Sequence, residues 1–181
     1  MIRSYRAGIV GLALTTLAGC SITQQVSMGV EDPCGTLKTV VADYGNGFAE
    51  FRRSATNYRM MTVYQAREEI VDGHCEIWSW GRDDAAYVCS VTAPSQPVAM
   101  TRYQVAVDYV SDCLGEGWRR TASTRGPDGD DTSVVTRFRP EGKTEPVLSV
   151  HNVRDQGGPW SWHTNYVYVG APDRMKALNG R

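Results

Sequence analysis

The apolar positions Leu37, Val40, Val41, Tyr44, Phe48 and Phe51 follow one another at intervals of three, one, three, four and three. That spacing draws one stripe along a helix. Asp32-Pro33 stands where such a helix would begin, with aspartate placed to cap the first turn and proline at the first helical position, where its missing N–H is not needed. Cys34 lies three residues before Leu37 and faces the same way. Gly45-Asn46-Gly47 interrupts the stripe and is expected to bend or break it. A second helical stripe, Tyr103, Ala106, Val107, Val110, Cys113 and Leu114, opens at Pro94, Gln96 and Pro97 and stops at Gly115.

Between and after these stripes the texture changes to short β-rich runs. Three lie at Met61–Ala66, Cys75–Trp80 and Ala86–Val91, with Gly81-Arg82-Asp83-Asp84 as turn residues between the last two. Later runs are Trp118–Ser123, Ser133–Arg139, Pro146–Val153 and Trp160–Val169, separated by the loop 125–131 and the turn 140–143. If the middle hairpin is symmetric about Arg82, Cys75 faces Cys89 and Ile77 faces Tyr87, at Cβ separations of about 4.5 to 5.5 Å. The order helix, strands, helix, strands with short turns predicts an α+β fold: two helices, each followed by an antiparallel β-meander and both covering one sheet face. The halves 33–93 and 94–170 echo each other thinly, through Tyr-Val-Cys-Ser-Val at 87–91 and Val-Leu-Ser-Val at 147–150. A true repeat would give a pseudo-twofold molecule with a groove between its halves.

The first residues have a different character. Arg3 and Arg6 precede the apolar run Ala7–Leu17, which closes on Leu17-Ala18-Gly19-Cys20. A spanning helix needs roughly 20 apolar residues, whereas the apolar core of a signal peptide needs about 7 to 15. The closing tetrad resembles the lipobox of bacterial lipoproteins: an apolar residue, two small ones that fit a narrow peptidase cleft, then the cysteine that receives lipid. The resemblance covers residues 1–20 and implies cleavage after residue 19, an acylated Cys20, and a membrane partner held through that lipid. Ser21 follows where an aspartate would favour the inner membrane, so the class implies the outer membrane, most simply its periplasmic face. Each buried methylene contributes about 0.8 kcal/mol, so a triacyl anchor holds durably. Residues 20–32 lack a sustained period and read as lipidated terminus and tether, 33–170 as one domain, and 171–181 as a tail.

Loss of residues 1–19 removes two of 19 basic residues, leaving 17 against 20 acidic ones and a formal balance of −3. No basic surface for nucleic acid follows from that composition. Beyond Cys20 the cysteines are Cys34, Cys75, Cys89 and Cys113, an even number that implies two disulfides in an exported chain. Four cysteines allow three connectivities; the hairpin register favours Cys75 with Cys89, leaving Cys34 with Cys113. Spacings of 41, 14 and 24 match no zinc-finger ligand set, so no metal and no cofactor are expected.

The residues that carry chemistry do not fall into an enzyme motif. His74, His151 and His163 stand outside any catalytic signature, although His151 and His163 are candidates for neighbours on adjacent strands with Asp155 nearby. Asp83-Asp84 and the acidic stretch 128–131 offer oxygen ligands for calcium without the spacing of an EF-hand loop. The last strand places Trp160, Trp162, Tyr166 and Tyr168 on one face by alternation, and Trp78 and Trp80 share a face of their own strand. Those aromatics serve either as the sheet face packed beneath the helices or as an exposed ligand platform for glycan or protein. The leading expectation is a non-enzymatic binding or assembly module for a periplasmic protein or cell-wall component. The rivals are a periplasmic hydrolase or wall-remodelling enzyme, and a structural envelope spacer.

Overall fold

Asp32 caps the first helix as its chemistry requires, accepting the Gly35 backbone N–H at 2.9 Å, and Pro33 occupies the first turn. In the computed structural model, which describes residues 29–125, 133–155 and 162–174, this helix α1 spans Pro33–Ala42. The lipobox, the tether through residue 28, the stretch 126–132, Trp160 and the tail beyond Arg174 lie outside the described residues.

The predicted stripe does not run on to Phe51 as one helix. After Ala42 the chain passes through two short 3-10 turns, Asp43–Asn46 and Ala49–Phe51, separated by Gly47 and Phe48 at φ +63° and +61°. A bulky residue rarely adopts a positive φ. Here the reversal buries Phe48 and Phe51 against Tyr87, with ring centroids 6.2 and 6.1 Å from it. The break falls at the Gly45-Asn46-Gly47 interruption, as expected, while the stripe's residues still gather in the core, with Val41 and Tyr44 partly buried.

Eight strands follow, four after each helix: β1 Arg52–Asn57, β2 Thr62–Ala66, β3 His74–Ser79 and β4 Ala85–Ala93, then helix α2 Gln96–Leu114, then β5 Trp118–Arg125, β6 Ser133–Pro140, β7 Val147–Asp155 and β8 Trp162–Gly170. They form one antiparallel sheet in the order β1-β2-β3-β4-β8-β7-β6-β5. The fold is thus α+β, with two α-helices and two disulfides among the described residues. α2 ends where the sequence places its stop, at Gly115 with φ +70°. The last strand of each half, β4 and β8, meets at the centre of the sheet. Sheet position therefore matches β4 with β8, not with β7, which carries the Val-Leu-Ser-Val segment likened to it from sequence.

The β3–β4 hairpin has the register that symmetry about Arg82 demands, with Cys75 opposite Cys89 and Ile77 opposite Tyr87. Both cysteine pairs are bonded as expected, Cys75–Cys89 and Cys34–Cys113. The main core gathers Leu37 and Val40 of α1, Tyr103, Val107 and Val110 of α2, and strand residues including Ile77, Phe138, Leu148, Val150, Val167 and Val169.

Candidate functional site

Directly paired residues in an antiparallel sheet project to the same side, so the register sorts the sheet into two faces. Val167 and Val169 of β8 lie in the core with the helix side chains. Their neighbours Tyr166 and Tyr168 therefore point to the opposite, outer face. Tyr168 pairs there with Val88 and Ser149, and Tyr166 with Ser90 and His151. Ala86, Val88, Val147 and Tyr168 form a second, smaller cluster on that face, flanked by Trp78, Trp80 and Tyr166. No helix residue belongs to it. Trp162, Tyr166 and Tyr168 therefore do not pack beneath the helices, as the core reading expects: Val167 and Val169 share the core with helix side chains, and Asn165 bonds the Ala99 carbonyl of α2.

The outer-face aromatics differ in exposure. Tyr168 is fully buried and donates its hydroxyl to the Ala171 carbonyl at 2.8 Å; that burial pushes its pKa upward. Trp78 and Trp80 are half-buried and meet edge to face, with centroids 6.3 Å apart. The Arg174 guanidinium lies over the Trp80 ring at 4.7 Å and forms an ion pair with Asp84. That pair occupies the Asp84 carboxylate, which argues against Asp83-Asp84 as a calcium loop. Among the described residues, no cluster of three or more metal-ligating side chains occurs. Trp162, at the far end of β8, is 53% exposed.

A polar ladder runs along β3 on the same face. Trp78 donates its indole N–H to Glu76 Oε2 at 2.8 Å, while the other Glu76 oxygen lies 2.9 Å from His74 Nε2. Both Glu76 oxygens are thereby held, and the indole N–H of Trp78 is satisfied within its own strand.

The histidines do not converge. His151 pairs with Tyr166 on the outer face, whereas His163 pairs with Arg154 on the inner one. The Ser149 hydroxyl and His151 Nε2 are 2.8 Å apart, the contact a nucleophile and its base would make. Their exposures are 0 and 1%, however, so no substrate reaches the hydroxyl in this arrangement. His163 is buried, which together with the nearby Arg154 charge pulls its pKa below 6.5.

Besides Trp162, the exposed large apolar residues among the described ones are Met100 and Val105 on α2 and the pair Tyr58 and Met60. Tyr58 and Met60, at 61 and 77% exposure, form the tip of the β1–β2 hairpin, closed by a Tyr58 N–H to Met61 carbonyl hydrogen bond of 2.8 Å. With β1 unrecognised, there was no hairpin on which to place them.

Comparisons with protein-family models, with curated proteins and with solved structures yield no match. Among the described residues no helix is long and apolar enough to cross a membrane.

Proposed function

We propose that the chain is a lipid-anchored envelope lipoprotein, held at the periplasmic face of the outer membrane through Cys20, whose domain binds another envelope protein or a cell-wall glycan without catalysing a reaction on it. The observation that carries the binding surface is Trp162. A tryptophan more than half exposed on a regular strand is a costly way to decorate a surface and a common way to build an interface. On this reading α1 and α2, tied by Cys34–Cys113, shield one face of the sheet and leave the outer face to the partner, with Trp162 as anchor and Trp78 and Trp80 as the other end of the contact. The tether 20–32 gives the domain reach from the bilayer. The buried state of Ser149 and His151 favours binding over hydrolysis.

A photo-crosslinking residue placed at position 162 in living cells should yield discrete adducts with one protein or with wall glycan. The same residue at Asp112, exposed on α2, should yield none. Equal labelling from both positions, or none from 162, overturns the assignment of the surface. The anchor has its own test: Cys20→Ala should abolish fatty-acid labelling and leave the precursor unprocessed, and labelling that persists refutes the lipoprotein reading.

A further inference from the structure

α2 runs across β8 and β7 and leaves a wedge between one of its flanks and the inner face of β4. This wedge is a cavity of about 390 Å³, within the range of about 300 to 1,000 Å³ typical of small-molecule sites. Its walls are aliphatic: Val98, Val105 and Ala106 from α2, Val71 from the β2–β3 loop, and Val150 and Val167 from the sheet, with the Cys75–Cys89 bridge beside them. Val105 is 41% exposed and marks the opening.

One polar group interrupts the apolar lining. Asn165, 8% exposed, lines the cavity and donates its side-chain N–H to the Ala99 carbonyl at 3.0 Å. That bond fixes the amide orientation, since the reverse would set two oxygens against each other. The amide oxygen is left buried with no hydrogen-bond partner. Asn152, directly opposite on β7, and His163, two residues away on the same face, each leave a further buried polar atom unpartnered, Asn152 Oδ1 and His163 Nδ1. Native interiors rarely tolerate such a group of orphans without a ligand or water to complete it.

We propose that this cavity binds a small aliphatic chain ending in a neutral hydrogen-bond donor, a hydroxyl or an amide N–H, with the chain between the valines of α2 and of the sheet and the head donating to Asn165 Oδ1. A carboxylate head would meet the lone pairs of that oxygen. The rim guanidinium of Arg102 already donates to the Thr92 carbonyl at 3.2 Å, and Asp72 also lines the cavity. The donor-headed chain has two sources, a free amphiphile of the periplasm or the amide-linked acyl group of a lipid anchor such as the one expected on Cys20.

The test uses the mature chain carrying Cys20→Ser, disulfides intact, titrated calorimetrically with linear alkyl amides of increasing length and with their N,N-dimethyl counterparts, which keep the shape and lose the donor. The primary amide should bind about tenfold more tightly than the dimethyl form. Ala106→Phe, which fills the wedge, should weaken binding at least tenfold without lowering the melting temperature, and Trp162→Ala should leave it unchanged. Equal affinity of the two amides would mean that water completes Asn165 and overturns the proposal, as would undiminished binding by Ala106→Phe. In the lipidated chain, retained amide binding assigns a free amphiphile as occupant, whereas its loss assigns the chain's own acyl group. Because Trp162 lies on the opposite face, failure of this site leaves the partner-binding surface untouched.

Discussion

The two faces of the sheet are made from the same strands by alternation, yet they are stabilised differently. The inner face contributes aliphatic and aromatic residues to one large core that also holds buried side chains of both helices and both disulfides. The outer face has an apolar cluster of four buried residues around Tyr168, the buried Ser149–His151 pair, and a sparse set of aromatics whose exposure rises from Tyr168 to Trp162. The inner face is therefore where most of the folding free energy resides, and the outer face is where a side chain can be exposed without weakening the fold. The exceptions on each side, a buried polar patch on the inner face and a buried tyrosine on the outer, are where the contrast is open to test.

The largest effect should come from the covalent brace between the helices. Cys34–Cys113 closes a loop of 79 residues, for which loop entropy lost by the unfolded chain contributes about 4.5 kcal/mol; Cys75–Cys89, spanning 14, contributes about 3 kcal/mol. Chemical denaturation of the two paired Cys→Ala variants should rank them in that order. The reverse ranking would show that the hairpin, not the helix pair, holds the inner face together.

Next in size are buried rings. Phe138→Ala on the inner face and Tyr168→Ala on the outer should each cost about 3 to 5 kcal/mol, since both rings are at most 1% exposed. Similar losses would show that burial, not the choice of face, governs stability. A loss under about 1 kcal/mol for Tyr168→Ala would make the outer cluster dispensable.

How much of this was legible in the sequence depends on what each pattern constrains. The β3–β4 register was readable because a tight turn and a period of two leave few alternatives once cysteines must face each other. α2 was readable from its proline entry, its stripe and Gly115. β1 was not: Arg-Arg-Ser-Ala-Thr-Asn has no alternation, because an edge strand with a largely exposed backbone needs little. Nor could sequence say which face of β8 the helices meet. Alternation groups Trp162, Tyr166 and Tyr168, and separately His163, Asn165, Val167 and Val169, but the choice between groups depends on how much apolar surface the neighbouring strands contribute to each side. The orphaned Asn165 oxygen lay beyond reach for the same reason, since its lack of a partner is a property of packing against Ala99.

A smaller effect concerns the polar patch inside the inner face. His163 has a pKa depressed below 6.5 by burial and by Arg154, so the folded state binds a proton less readily than the unfolded one. The stability this contributes is fully present above pH 6.5 and is lost as pH falls from there through the lower folded-state value. Urea midpoints measured across that window should decline toward acid, and His163→Gln should flatten the decline. A His163→Gln variant with the wild-type slope would place the titration elsewhere and remove the histidine from the buried patch.

The smallest expected change in stability is also the one that bears most on function. Trp162 stands on the same face and strand as Tyr168, six residues away, but is 53% exposed where Tyr168 is fully buried. Its removal takes little area out of the folded core, so Trp162→Ala should shift stability by no more than about 0.5 kcal/mol. If the exposed ring anchors a partner, the same substitution should weaken that association by about 2 to 4 kcal/mol, the range of interface hot spots. The two numbers point in opposite directions, and that separates the alternatives: a core role predicts a large loss in melting with no specific binding defect, a platform the reverse. Thermal melts of Trp162→Ala beside Tyr168→Ala read the first number, and crosslinking yield from a neighbouring outer-face position, Thr164, reads the second. A severe melting defect in Trp162→Ala would mean that the ring is buried in solution and that the outer face is closed at this end as well.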